Sequence, residues 1–120
     1  MDVKALIEEA TSIDHALDRL FNCTEAEAHQ NIKNRIYSYS VKITGFEPEN
    51  VDTHELLCEI AHWLSVKSDD IFDREDKKMK HSRLGCIKEM EATEQKLRNT
   101  NDKLKELFGL ANNTHCNGDI

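Results

Sequence analysis

The sequence predicts an all-α fold, on three observations. A single proline and four glycines in 120 residues leave few places where a helix must stop. Apolar residues recur at steps of three and four over long stretches, the period of a helix that buries one stripe. From Asp73 to Leu110 there is no proline, and the residues are mostly strong helix formers. With 38% apolar and 32% charged residues the composition is that of a soluble chain, and its length is one domain's worth with room for one appended element.

In chain order, Val3, Leu6, Ile7, Ala10, Ile13, Ala16, Leu17, Leu20 and Phe21 define a first amphipathic helix with acids on its other face. Asn22-Cys23 breaks that pattern. Thr24-Glu25-Ala26-Glu27 then reads as a capping box, in which the Thr hydroxyl accepts from a free backbone N–H while Glu27 reaches back, and it opens a second, shorter helix. Gly45-Phe46-Glu47-Pro48 closes the next segment, since Gly allows a left-handed stop and Pro forbids continuation. Asp52-Thr53-His54-Glu55 is another capping box, followed by the stripe Leu57, Ile60, Ala61, Leu64. Ser65 to Ser68 interrupts this helix, and Ser68-Asp69-Asp70-Ile71-Phe72 restarts a turn with acids where the helix dipole favours them.

One long helix is expected from there. Met90, Leu97 and Leu104 are spaced by sevens, each preceded four residues earlier by Cys86, Thr93 and Thr100, with Leu107 and Ala111 continuing the two rows and Leu84, Ile87 and Phe108 widening the stripe. Such a helix, about 50 Å at 1.5 Å per residue, would project beyond a domain built from the first seventy residues. Residues 72–111 are therefore expected to form an intermolecular bundle through Cys86, Ile87, Met90, Thr93, Leu97, Thr100, Leu104 and Leu107, making the chain a homo-oligomer, dimer or tetramer. The tail 112–120 lacks periodicity and is expected to be disordered.

The segment "VDTHELLCEIAHWLSVKSDDIFD" resembles the closing part of the Cro/CI-type helix-turn-helix family, with its POU-like fold. In that family a fourth helix of pattern Ile-Ala-x-x-Leu precedes a Val-x-x-Asp-x-(Leu/Ile) fifth helix. Here these are Ile60-Ala61-His62-Trp63-Leu64, then Val66 and Asp69-Asp70-Ile71. Upstream, Thr24 to Ala28 sits where that family begins its second helix, Ile32 on its core leucine, and Gly45 and Pro48 where the recognition helix closes. His29, Lys33 and Asn34 depart from the pattern and predict a longer or differently built turn. The resemblance implies a five-helix DNA-binding domain over 1–71, and with the long helix the architecture is similar to phage regulators of the CII-functional type (the YdaT group).

The charge pattern points the same way. The chain carries 23 acids against 16 bases, a net charge of −7, yet "AHQNIKNRIYSYSVKITGF", residues 28–46, contains no acid and holds Lys33, Arg35 and Lys42. As a recognition helix, it would turn Ile36, Tyr39 and Ile43 to the core and present Lys33, Arg35, Tyr37, Ser38, Ser40, Val41, Lys42 and Thr44 to double-stranded DNA. A rival reading uses the alternation in "YSYSVKIT", which suits a strand paired with its copy in a dimeric ribbon. A third leaves the segment a solvated connector. Lys77, Lys78, Lys80, His81 and Arg83 form a second basic cluster.

Nothing in the chain predicts catalysis, cofactor or small-molecule substrate: there is no P-loop, dinucleotide fingerprint, HExxH or serine elbow. His54, Cys58 and His62 fall at metal-like spacing but drift off the apolar stripe, so no metal site is expected, and Trp63 is expected to pack. Four dispersed cysteines predict reduced thiols, and the charged first twenty residues predict neither a signal peptide nor a membrane span. The expectation is a cytoplasmic, sequence-specific transcriptional regulator reading an inverted repeat. Its alternative is an acidic helical adaptor or inhibitor that binds protein through the long helix.

Overall fold

The structure, a computed structural model, describes residues 3–21, 25–45, 51–80 and 87–117, with side chains in all of these except 76–80, 87–90 and 113–117. They form four helices: α1 (Val3–Asp18), α2 (Ala26–Thr44), α3 (Val51–Lys80) and α4 (Ile87–Asn117). No strand occurs among the described residues, so the fold is all-α and the ribbon reading of residues 36–44 is corrected to helix.

Contacts between the helices set their directions. Tyr39 and Arg35 of α2 reach Leu6 and Ser12 of α1, numbers falling on one helix as they rise on the other, so these two are antiparallel. Lys67 meets Asp14 and Asp18 while Arg74 lies over the Phe21 ring, so α3 runs parallel to α1. Asp70 meets Thr100 and Arg74 meets Glu94, so α4 returns antiparallel along α3. The result is an up-down-up-down bundle measuring 55 × 25 × 19 Å.

Every helix contributes to one core. Leu6, Ile7, Ala10, Ile13 and Leu17 of α1 are buried with Ile36, Tyr39 and Ile43 of α2, Leu57, Ile60, Leu64 and Ile71 of α3, and Leu97, Leu104, Leu107 and Ala111 of α4. The stripe of α1 is the expected one, and its end tightens through backbone bonds from Arg19, Leu20 and Phe21 to carbonyls three residues back. Each fully buried leucine or isoleucine stabilises the fold by about 1.5–3 kcal/mol before entropy is counted.

Several expectations are corrected. The five helices expected over residues 1–71 are replaced by three, α1, α2 and α3, because two expected breaks are absent, and the long helix expected from residue 72 is divided between α3, which runs to Lys80, and α4, which starts at Ile87. No turn separates the second helix from the recognition segment: α2 is continuous from Ala26 to Thr44, held by His29, Ile36, Tyr39 and Ile43 along one buried face. The Ser65–Ser68 interruption is also absent, since Lys67 and Ser68 are buried and carry the core stripe from Leu64 on to Ile71. The domain boundary expected at 71–72 thus falls inside α3.

At the other expected stops, α3 begins at Val51, before the Asp52–Glu55 capping box, and the N-cap of α2 is Glu25, with no side-chain cap bond. Gly45 closes α2 at φ −85°, in the ordinary right-handed region, not the left-handed one expected. Residues 112–117, expected to be disordered, continue α4, since buried Ala111 anchors the turn before them and extending a formed helix costs little.

The largest correction concerns the seven-residue stripe. Thr93, Leu97, Thr100, Leu104 and Leu107, expected between chains, are buried against α1 and α3 of their own chain. Cys86 lies outside the described residues, as do the side chains of Ile87 and Met90.

Polar groups interrupt this core in one zone. The Lys67 ammonium, its side chain 1% exposed, donates to Asp14 Oδ1 at 2.6 Å and Asp18 Oδ1 at 2.8 Å. Thr100 donates to Asp70 Oδ2 at 2.9 Å, and Arg74 pairs with buried Glu75 at 2.6 Å and with Glu94 at 3.4 Å. Losing one side of a buried pair costs more than losing the whole pair, because the remaining charge has no water. In urea titrations, Asp14→Asn with Asp18→Asn is therefore expected to destabilise by about 3–5 kcal/mol, and Lys67→Met by less, since both aspartates reach solvent; the reverse order would refute this account of the cluster.

Truncation tests the intramolecular role of α4. A chain ending at Phe72 is expected to lose cooperative thermal unfolding, because the core loses Leu97, Leu104, Leu107 and Ala111. Leu104→Ala in the full chain is expected to cost about 2–5 kcal/mol. A folded, cooperatively melting truncation would show that the first three helices suffice.

Candidate functional site

The acid-free stretch takes in α2 from Ala28 to its end at Thr44, and helix periodicity explains which of its residues are available. Ile36, Tyr39 and Ile43 point inward, leaving Gln30, Asn31, Asn34, Tyr37, Ser38, Val41, Lys42 and Thr44 exposed. Tyr37 is 72% exposed and Val41 54%. The β-prone hydroxyl residues are accommodated by local bonds: Ser40 donates to the Ile36 carbonyl at 3.1 Å and Thr44 to the Ser40 carbonyl at 2.9 Å. Gln30 Nε2 donates to Asn34 Oδ1 at 3.0 Å one turn along. Beneath this face the Tyr39 hydroxyl donates to the Leu6 carbonyl at 2.8 Å and anchors α2 on α1.

The neighbouring helices supply the carboxylates that the stretch lacks. Lys42 binds Glu9 of α1 at 3.0 Å, and Lys33 lies 3.7 Å from Asp69 of α3 while its ammonium sits 4.8 Å over the Phe72 ring. Arg35 donates to Ser12 at 2.8 Å. The residues expected to contact DNA thus divide. Tyr37, Ser38, Val41 and Thr44 form an outward face, Lys42 and Arg35 edge it on the α1 side, and Lys33 and part-buried Ser40 lie toward α3. Between α2 and α3 a cleft of about 260 Å³ is lined by Lys33, Tyr37, Ser40, Ser65, Ser68 and Asp69. Within it Ser68 Oγ is buried without a hydrogen-bond partner.

Residues that the chain pattern did not single out now matter. Gln30, Asn31 and Asn34 belong to the exposed face, and Glu9, Asp69 and Phe72 set the charge of its edges. The first three could have been found by extending the 3.6 period of Ile36, Tyr39 and Ile43 toward the N-terminus. The last three depend on which helices pack beside α2.

Other candidate chemistry is sparse. His54 lies 3.8 Å from Cys58 Sγ, but His62 is packed edge-on against Trp63, and no group of three potential metal ligands occurs among the described residues. Burial, then the Glu55 carboxylate, pushes the Cys58 thiol above its ordinary range, which lowers its thiolate fraction at neutral pH. Side chains of the cluster Lys77 to Arg83 lie outside the described residues. No described helix is long and apolar enough to cross a membrane. Comparison with family models, curated proteins and solved structures finds no match to this chain.

The Tyr39 anchor has a pH signature. Burial foremost, then the nearby Glu9 and Cys58, raises the Tyr39 hydroxyl well above its ordinary value of 10.0. The folded chain therefore holds this proton more tightly than the unfolded chain. The associated stability is complete below pH about 10 and is lost as pH rises from there toward the folded value. Thermal melts above pH about 10 are expected to fall less steeply for Tyr39→Phe than for the parent, while at neutral pH the variant loses about 1 kcal/mol for the missing hydrogen bond. Equal alkaline slopes would remove Tyr39 from the explanation.

Proposed function

We propose that this chain is a non-catalytic protein-interaction module whose contact surface is the outer face of α2. The observation that carries this reading is an exposed, charge-poor helix face, with Tyr37 and Val41 projecting from it, on a chain of net charge −7. Interface centres are depleted of charge and enriched in tyrosine, whose large, stiff side chain loses little entropy on contact. Exposed Gln30, Asn31, Asn34 and Ser38 add hydrogen-bonding groups that need no counter-ion. The contact surface thereby moves from the long final helix, whose apolar stripe is buried, to α2.

A second reading keeps duplex DNA as the partner of the same face, making the chain a regulator. It is favoured by the absence of any acid from residue 28 to residue 46. Against it stand Glu9 and Asp69, whose carboxylates sit beside Lys42 and Lys33 and would face incoming phosphates.

Two measurements separate these partners. Titration with mixed-sequence duplex DNA at about 50 mM salt is expected to give no saturable binding; binding that falls steeply with salt and weakens in Lys42→Glu would establish the DNA reading instead. A photocrosslinking residue at Ser38 in the full chain is expected to give a discrete protein adduct that Tyr37→Ala abolishes. The same adduct from exposed Arg98 on α4, or one indifferent to Tyr37, would overturn α2 as the contact face.

A further inference from the structure

We infer that the occupant of the α2 face is a second copy of this chain, packed antiparallel through α2 about a two-fold axis at Asn34; this rests on α2 being the contact face. The first argument is electrostatic. Two copies each carrying −7 repel one another over most approaches, and the outer face of α2 from Gln30 to Gly45 presents no carboxylate of its own. The carboxylates at its edges, Glu9 and Asp69, are offset by Lys42 and Lys33 respectively, so a like copy meets no unpaired acid there.

The second argument is complementarity along the helix. Glu27 stands exposed in the first turn of α2 and Lys42 in the last, where the Lys42 ammonium, held at 3.0 Å by Glu9 of its own chain, is still partly open to a second carboxylate. An antiparallel pair centred at Asn34 places Glu27 of each copy beside Lys42 of the other and opposes the two helix dipoles. A parallel pair would set Glu27 against Glu27 and Lys42 against Lys42.

Spacing supplies the third. Glu27, Asn34 and Val41 lie seven residues apart, and Gln30, Tyr37 and Thr44 run beside them, so the two rows share one exposed side of α2 that a partner helix can lie along. On the axis Asn34 meets its own copy, where two side-chain amides can exchange hydrogen bonds and penalise any slipped register. Tyr37 of each copy falls opposite Gln30 and Asn31 of the other, and Val41 packs on the aliphatic stem of Glu27. A single helix of 19 residues, about 28 Å long, makes a smaller contact than a standard interface, so the dimer is weak and concentration-dependent.

Sedimentation equilibrium of the full chain tests this. From about 10 μM to about 1 mM, the apparent mass is expected to climb from 13.8 kDa toward twice that value. Asn34→Glu and Val41→Glu, exposed changes whose folding is checked by thermal melts, are expected to hold the chain monomeric. Glu27→Lys and Lys42→Glu are each expected to weaken self-association about tenfold, and their equimolar mixture to restore it, because both cross-pairs become opposite in sign only in the mixed antiparallel dimer. A chain monomeric throughout overturns the self-pairing while leaving α2 to the crosslinking result. A dimer indifferent to Asn34→Glu and Val41→Glu but lost in Leu110→Glu overturns both, placing the interface on exposed Leu110 near the C-terminal end of α4.

Discussion

The apolar stripe of α4 is covered by the chain that carries it, and the rest of the architecture depends on that burial. Leu97, Leu104, Leu107 and Ala111 close the core against α1 and α3 and share it with Leu57, Ile60 and Leu64. A stripe of this kind can be covered from within or by another chain, and the two routes differ in entropy. Six residues separate α3 from α4, and closing so short a connection costs about 2 kcal/mol in the chain-length term. Association of separate chains costs on the order of 4–15 kcal/mol in translational and rotational freedom. The same apolar contacts therefore favour folding back wherever the chain can reverse between Lys80 and Ile87.

The polar zone beside the stripe explains why the helices settle in one alignment. A core of leucines and isoleucines alone tolerates sliding by a turn, whereas a buried charge is expensive anywhere except beside its partner. Lys67 binds Asp14 and Asp18 only when α1 and α3 are in parallel register, and Asp70 meets Thr100 only at one alignment of α3 with α4. Arg74, bonded to Glu75 and Glu94 and lying over Phe21, ties the same level of the bundle together. These groups add specificity that apolar packing lacks, in the way a buried asparagine fixes coiled-coil register.

Electrostatics at the surface is likewise a property of neighbouring helices. Read along the chain, residues 28–46 form a basic window; read in space, Lys42 and Lys33 are matched by Glu9 and Asp69. What remains outward is a face whose two lysines are paired within the chain and from which Tyr37 projects. Beneath it the Tyr39 hydroxyl, bonded to the Leu6 carbonyl, ties α2 to α1.

Local pattern was enough for helix content and for the α1 stripe from Val3 to Phe21, because a 3.6-residue period assigns faces without reference to anything distant; over residues 36–44 it fitted helix and strand alike, and only the packed helix turns Ile36, Tyr39 and Ile43 in with Tyr37, Ser38 and Val41 out. It was enough, too, for the heptad stripe of α4, though not for its partner, since an apolar row records that it must be covered and not by what. Helix ends were misplaced where short-range signals met long-range packing: Ser65 to Ser68 looks like a break until Lys67 finds Asp14 and Asp18, fifty residues earlier in the chain. The charge of the α2 face was hidden for the same reason. Glu9 and Asp69 are distant from Lys42 and Lys33 in sequence and adjacent only after α1 and α3 have packed on either side, and tertiary structure alone makes that choice.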